Sequence, residues 1–369
     1  MREARVHRIA TASPDDVSGL AHAIEAGEIM PDAIVAILGK TEGNGCVNDF
    51  TRAFSVQALK AELSRHLSAE AVNGIAYVMS GGTEGALSPH LLVLERREVQ
   101  ASIDGTSSLA IGSALTENLR PEHLGTLSQV AMVADGVRAA MADAGIADPA
   151  DVHFVQIKCP LLTAERINRA TREGQAVTTR DTLKSMGFSR GASALGVAVA
   201  LGELSIDAFD EGLICRDLSL WSSRASTSAG VELENHEIVV LGMSRDWSGP
   251  LAVDHAVMAD AIDVAPVRAM LQRLRLGDDA ELVALLAKAE PGTSGTVRGN
   301  RHTMLDDSDI SATRHARAFV GGVLSGMVGT TQIFVSGGAE HQGPDGGGPV
   351  AVIARRTTGI PGQRHGEKA

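Results

Sequence analysis

AIVAILGK at 33–40, VHFVQIKCP at 152–160 and ELVALLAKAE at 281–290 share one pattern, an apolar run that ends on or beside a lysine. The first two are short, apolar and rich in Ile and Val, which predicts buried strands. Periodicity leaves the third open between strand and helix. After each run an arginine opens a helix of small residues: TRAFSVQALKAEL (51–63), SRGASALGVAVAL (189–201) and ARAFVGGVLSGMV (316–328). A serine-glycine turn with a trailing Glu comes next: SGGTE (80–84), SAGVE (228–232) and SGGAE (336–340). Apolar strands, IAYVMS and QIFVS, lead into the first and third turns. The Ser-rich LWSSRASTS precedes the second.

The order Lys, Arg, Ser thus occurs three times, as Lys40–Arg52–Ser80, Lys158–Arg190–Ser228 and Lys288–Arg317–Ser336, with the lysines 118 and then 130 residues apart. Recurrence on this scale marks an internal repeat. Amphipathic stretches such as Leu127–Ala144 lie between the motifs, so each repeat reads as a small α/β unit. The expected units are 1–103, 108–246 and 250–369, with polar seams near 100–107 and 245–250.

Composition bounds the function. The chain has 369 residues, 44% of them hydrophobic, enough for sizeable cores. Its net charge of −12 and 3% aromatic content argue against nucleic acid as a partner, which needs basic patches and stacking rings. The N-terminal MREARVHRIATASP lacks a signal-peptide core, and no later run approaches about 18 apolar residues, so neither export nor membrane spanning is expected. Three scattered cysteines, Cys46, Cys159 and Cys215, read as reduced thiols of a cytoplasmic protein.

The recurring residues suit acyl transfer. A serine hydroxyl needs a base to become a nucleophile. A lysine serves as that base when burial and a neighbouring cation lower its pKa, and Arg190 beside Lys158 is the expected cation. Arginine forks also hold carbonyl-rich or anionic ligands, and N–H groups of a glycine turn can face an oxyanion. Taken singly, a strand-end lysine is a solvated charge and a Ser-Gly pair a plain β-turn; the threefold recurrence is what favours a site. Other motifs fail. Gly39-Lys40-Thr41 lacks the earlier P-loop glycine, because position 34 is Ile. HTMLDDSD (302–309) lacks the central Gly and closing Glu of a calcium loop. His90, His302 and His341 have no metal-ligand spacing.

At GKTEGNGCVNDFTR (39–52), VMSGGTEGALSPH (78–90), HFVQIKCPLLT (153–163), SMGFSRGASALG (185–196), RHTMLDDSDISATRHARA (301–318) and VSGGAEHQGPDGGGP (335–349) the chain resembles the cyanuric acid hydrolase and barbiturase family of cyclic amide hydrolases, and its cyanuric acid branch more closely. The resemblance implies three α/β repeats around a pseudo-threefold axis with the substrate on it. It implies opening of the s-triazine ring to carboxybiuret, which decarboxylates to biuret, by a homotetramer acting in s-triazine degradation. Carried over by position, Lys158 becomes the base and Ser228 the nucleophile, with Lys40 and Lys288 in supporting dyads. Arg52, Ser80, Gly81, Arg190, Ala229, Arg317, Ser336 and Gly337 join Ser228 in holding the ring. Arg314, one turn from Arg317, is an alternative to it; the shared RAF at 52–54 and 317–319 favours Arg317. Thr313 takes the specificity position. No organic cofactor is implied, but a structural Mg2+ or Ca2+ is, held by Glu290, Ala339, Gln342, Gly343, Pro344 and Gly347. The alternatives are a barbiturase or other cyclic imide hydrolase of the same mechanism, and a non-catalytic protein that binds small anions.

Overall fold

A computed structural model describes residues 1–100 and 106–357. The third lysine run, like the other two, is a strand, Ala280–Ala289. It lies between two other strands with residues 284–289 buried, and a strand covered on both faces reads as a continuous apolar run.

Every repeat has the same order of six principal elements. The first comprises β1 (Arg2–Ala10), α1 (Ser18–Glu25), β2 (Ile34–Thr41), α2 (Phe50–Leu63), β3 (Ala76–Gly81) and β4 (His90–Glu98). The second comprises β5 (Ser108–Leu115), α3 (Leu127–Ala144), β6 (Val152–Pro160), α4 (Thr182–Ala200), β7 (Ala225–Gly230) and β8 (Glu237–Ser244). The third comprises β9 (Leu251–Met258), α5 (Ala265–Arg273), β10 (Ala280–Ala289), α6 (Ala312–Val328), β11 (Phe334–Gly337) and β12 (Gly348–Arg356).

The strands are hydrogen-bonded in the orders β3-β2-β4-β1, β7-β6-β8-β5 and β11-β10-β12-β9. In each sheet the lysine strand runs parallel to the serine strand, and the other pairings among these four strands are antiparallel. Each lysine strand also carries one extra residue against its antiparallel neighbour, five positions before the lysine: Val35, His153 and Val283. This is an α/β fold of three repeats about a pseudo-threefold axis. Its largest core draws Leu38, Ile157 and Leu286, one from each lysine strand, into a single cluster.

Three expectations change. Arg190 and Arg317 do not open their helices: Asp181 caps α4 through the backbone N–H groups of Leu183 and Lys184, placing Arg190 mid-helix, and α6 already starts at Ala312, placing Arg317 in its second turn. The Ser-rich ASTSAG is a fully buried strand. Two of its three hydroxyls are satisfied internally, Ser226 donating to Gln156 at 2.7 Å and Thr227 to the Arg190 carbonyl at 3.0 Å, so an apolarity criterion misses it. The 245–250 seam is not a bare linker. Trp247 is buried, donates from its indole N–H to Ala144 at 2.7 Å and lies 5.0 Å beneath the Arg2 guanidinium, while Trp247–Ser248 extends the edge of β1. The expected boundary at 103 and the tail 358–369 lie outside the described residues. No helix among the described residues is long and apolar enough to cross a membrane.

Helix α3 sits directly on the backbone of β5. A Cβ at Gly112 would fall on the Ala140 carbonyl oxygen and come within 2.6 Å of the Ala144 nitrogen. Gly326, exposed on α6, has open space around it. Gly112→Ala is therefore expected to cost about 1–3 kcal/mol through overpacking. Gly326→Ala should gain about 0.5–1 kcal/mol from helix propensity. Urea unfolding midpoints of the two variants check both signs.

Candidate active site

The parallel pairing sets each lysine beside its serine, since Lys40, Lys158 and Lys288 stand in register with Ser80, Ser228 and Ser336. All three lysines are at 1% exposure or less. Each ammonium donates across the axis to the carbonyl just before the next repeat's serine. Lys40 reaches Val335 at 2.8 Å, Lys158 reaches Met79 at 2.6 Å, and Lys288 reaches Thr227 at 2.8 Å. Three cyclic contacts of one kind place the three serines around one centre.

The acids and arginines interlock in the same rotation. Glu84 of the first turn takes Arg317 in a forked pair at 2.6 and 2.9 Å, and also Arg314 at 2.9 Å. Glu340 of the third turn takes Arg190 in a fork at 2.6 and 2.8 Å. Glu232 of the second turn faces Arg52 at 3.5 Å. The glycines make this possible: Gly82 and Gly338 have positive φ, and a Cβ on either would strike the Arg317 or Arg190 guanidinium. The Asp49 carboxylate occupies the space that Gly43 and Gly81 leave open, where it caps α2 and accepts from Gly45.

The second set departs from the other two. Lys40 and Lys288 each donate to their own serine Oγ at 3.2 Å. Lys158 pairs with Glu232 at 2.9 Å instead, and Ser228 Oγ, buried, has no partner. Gly230, the counterpart of Gly82 and Gly338, is absent from the positive-φ positions. Arg52 makes no fork; it donates to the Cys46 carbonyl at 2.9 Å, and its Nε is unpartnered.

Burial depresses all three lysines. Lys40 is driven well below the ordinary range by burial and by Arg317. Lys288 is brought to about 7 by burial and by Arg190. Lys158 is lowered by burial, but Glu232 pulls it back up and Arg52 pushes it down again. The cation beside Lys158 is thus Arg52, not the expected Arg190; the arginine beside each lysine comes from the same repeat as the carbonyl that lysine reaches. Against the upward push of burial, Lys158 and Arg52 hold Glu232 below the usual carboxylate range.

One cup on the axis is lined by Arg52, Ser80, Gly81, Lys158, Arg190, Ser228, Ala229, Arg317, Ser336 and Gly337, all residues singled out from sequence, together with Gly45 and Met186. Lys40 and Lys288 lie behind it. Thr313 sits at the mouth, in a vestibule of about 480 Å³, with its methyl group over Gly337. Arg314 lines the vestibule alone, whereas Arg317 lines both the vestibule and the cup. Ala339, Gln342, Gly343, Pro344 and Gly347 all lie on the loop between β11 and β12. Gln342 spends its side chain there, accepting from the Thr227 N–H at 2.7 Å and donating to the Gly338 carbonyl at 3.1 Å. Glu290 Oε2 is buried without a partner, and burial and Glu340 push the Glu290 carboxyl up to about 7.

Sequence reading assigned no role to Glu84, Glu232 and Glu340, although their place in every turn motif was a signal. Glu237 had no such signal. It stands opposite Lys158 in register and accepts from the Tyr77 N–H at 2.8 Å, whereas His90 takes the matching place opposite Lys40.

Three serine-lysine pairs and three arginines converging on one closed cup, in a fold of three α/β repeats, define a class of cyclic-amide hydrolases. Residues 5–355 match the family described as amidohydrolase ring-opening protein, and the chain belongs to it. It is 64% identical to a cyanuric acid amidohydrolase of Bradyrhizobium sp. (strain ORS 375), over 97% of this chain and 99% of that one. It is also 64% identical to a cyanuric acid amidohydrolase of Azorhizobium caulinodans, over 96% of this chain and 99% of the relative. The solved cyanuric acid hydrolase of A. caulinodans superposes with a TM-score of 0.92 at 64% identity, covering 97% of this chain and all of the other. A second solved cyanuric acid hydrolase superposes with a TM-score of 0.93 at 49% identity, covering 96% of this chain and all of that one. The chain is accordingly a hydrolase of cyclic amide bonds, and the reading as a non-catalytic binding protein is set aside.

The buried lysines make stability depend on pH. Lys288 titrates near 7 when folded and at its ordinary value of about 10.4 when unfolded. Between those values the unfolded chain holds the extra proton, so stability contributed by this residue rises with pH and is lost on acidification through about 7. Relative to Lys288→Met, the wild type is expected to gain stability from pH 7 to pH 9, with a slope approaching about 1.4 kcal/mol per pH unit. Denaturant titrations at several pH values measure that difference.

Proposed function

We propose that this chain is a cyanuric acid amidohydrolase that opens the s-triazine ring through Ser228, with Lys158 as base. One observation carries the choice of the second set: Ser228 alone among the three serines has an uncommitted hydroxyl, and its lysine lines the cup. The names of the relatives at 64% identity support cyanuric acid over barbiturate. So does the chemistry, since a flat ring with three carbonyls and acidic N–H groups matches three arginines and three serine turns.

The reaction begins when Lys158, neutral and released from Glu232, takes the Ser228 proton as Oγ bonds to a ring carbonyl carbon. The carbonyl electron pair moves onto oxygen, towards backbone N–H groups of the turn after Ser228. Collapse restores the carbonyl and breaks the ring C–N bond, and the Lys158 ammonium returns its proton to the departing nitrogen. Water then loses a proton to Lys158 and attacks the carbamate ester. Ser228 leaves with that proton, and 1-carboxybiuret is freed to lose carbon dioxide and become biuret. Arg52, Arg190 and Arg317 hold the ring, and Ser80, Gly81, Ala229, Ser336 and Gly337 complete its contacts. Lys40 and Lys288 fix Ser80 and Ser336, and Thr313 at the mouth selects among rings.

Glu290 and the carbonyls of Ala339, Gln342, Gly343, Pro344 and Gly347 would hold Mg2+ or Ca2+, which favour such oxygen donors. The unpartnered Glu290 oxygen beside a second carboxylate fits that role, and the ion would offset their repulsion and brace the third turn. Homotetramer assembly and a cytoplasmic place in s-triazine degradation complete the reading, and rest on family likeness.

Product analysis with cyanuric acid and barbiturate tests the substrate; a higher kcat/KM for barbiturate overturns it. Ser228→Ala is expected to lose more than about a thousandfold in kcat, with Ser80→Ala and Ser336→Ala losing less. Lys158→Arg should be inactive, because guanidinium cannot accept the proton, while Lys40→Arg and Lys288→Arg retain more activity. Activity should rise with pH through a limb below the ordinary lysine value. Glu232→Gln removes the charge that raises Lys158, so this limb should move to lower pH. A limb that stays in place, or an active Lys158→Arg beside a dead Lys40→Arg or Lys288→Arg, puts the base in another set.

A further inference from the structure

Away from the cup, the bulge in β6 turns His153 towards β9 of the third repeat. Its Nδ1 lies 3.0 Å from His255 Nδ1 and 3.5 Å from Asp254 Oδ1. One ligand atom from each of the three residues falls within 4.8 Å of the others. Tetrahedral zinc holds nitrogen and oxygen ligands at about 2.0–2.1 Å, which separates neighbouring ligand atoms by about 3.3–3.4 Å. The two measured spacings bracket that edge. His153 and Asp254 remain 19% and 15% exposed, which leaves room for a water in the fourth position.

We propose that His153, Asp254 and His255 form a transition-metal site of the Zn2+ type that clamps the second repeat to the third. Two imidazoles and a carboxylate are the donor set that zinc accepts with an open position. The supporting contacts orient the carboxylate while leaving Oδ1 directed at the histidines. Arg273, the last residue of α5, donates to Asp254 Oδ2 at 2.7 Å and to the His255 carbonyl at 3.1 Å. The His255 N–H donates to Asp254 Oδ1 at 2.7 Å. Fixing a ligand through its outer partners is the usual support of such a site. Arg224 and Arg273 are the cations facing the cluster. The competing explanation is a hydrogen-bonded histidine pair with no affinity for metal.

The test is titration of the chelator-treated full-length protein with Zn2+, and with Co2+ as a spectroscopic probe, in excess Mg2+ to occupy oxygen sites. One Zn2+ per chain is expected, with a rise in thermal midpoint and the strong visible absorption of four-coordinate Co2+. His153→Gln and His255→Gln should each weaken binding at least tenfold and abolish the midpoint shift, with kcat/KM for ring opening unchanged. His315→Gln, which alters a surface histidine paired with Asp307, should bind as the wild type does. Absence of stoichiometric Zn2+ binding overturns the proposal, as does binding that survives both cluster variants. Should one of these fail to fold, as judged by its metal-free melt, the other decides.

Discussion

Three lysine ammonium groups are buried on one axis, each anchored to a carbonyl of the next repeat, and the architecture is organised around that arrangement. Removing a cation from water costs several kcal/mol unless partners replace the hydration. Here one replacement for each lysine comes from another repeat, so no repeat completes its own site. The same rotation governs the arginines, which meet the glutamates and lysines of their neighbours. Six basic groups face three turn glutamates, and burial relieves the excess by lowering the lysine pKa values.

Threefold likeness makes the cup, and a local departure from it gives the cup a direction. Where glycine adopts positive φ after the serine turn, at Gly82 and Gly338, the glutamate is drawn into a fork with arginine and the lysine is left to its serine. Around Gly230 the chain runs differently, and Glu232 takes the lysine. A neutral hydroxyl and a lysine held one step away form a poised pair, whereas a lysine already bonded to serine serves to position it. The forks at Glu84 and Glu340 also stiffen two sides of the cup and leave the Arg52 side less constrained.

Much of this was legible beforehand. Ten residues chosen from recurrence or family likeness line one cup, because the order Lys, Arg, Ser is tied to a fixed order of strand, helix and strand. Errors arose where local rules met tertiary context. Arg190 was read as a helix start because small residues follow it, yet Asp181 nine residues earlier supplies the cap. ASTSAG was not read as a strand because the partners of its Ser226 and Thr227 hydroxyls, Gln156 and the Arg190 carbonyl, are set by the fold. The 245–250 stretch was read as a polar seam, yet Trp247 finds its burial against Ala144 and Arg2, far away in the chain.

By itself the sequence determined that the chain is a triplicated α/β protein and which residue types each copy brings to the site. Repetition and strand patterning are local properties, and they survive in the order of residues. Tertiary structure alone decided which repeat's arginine serves which lysine, because that pairing crosses between repeats and leaves no trace in spacing. It also decided that Ser228 keeps a free hydroxyl, which depends on a backbone angle at Gly230 and the reach of Glu232. The meeting of His153 with Asp254 and His255 belongs to the same category. A bulge and the packing of two sheets bring those side chains within bonding distance, and the hundred residues between them hold no sign of it.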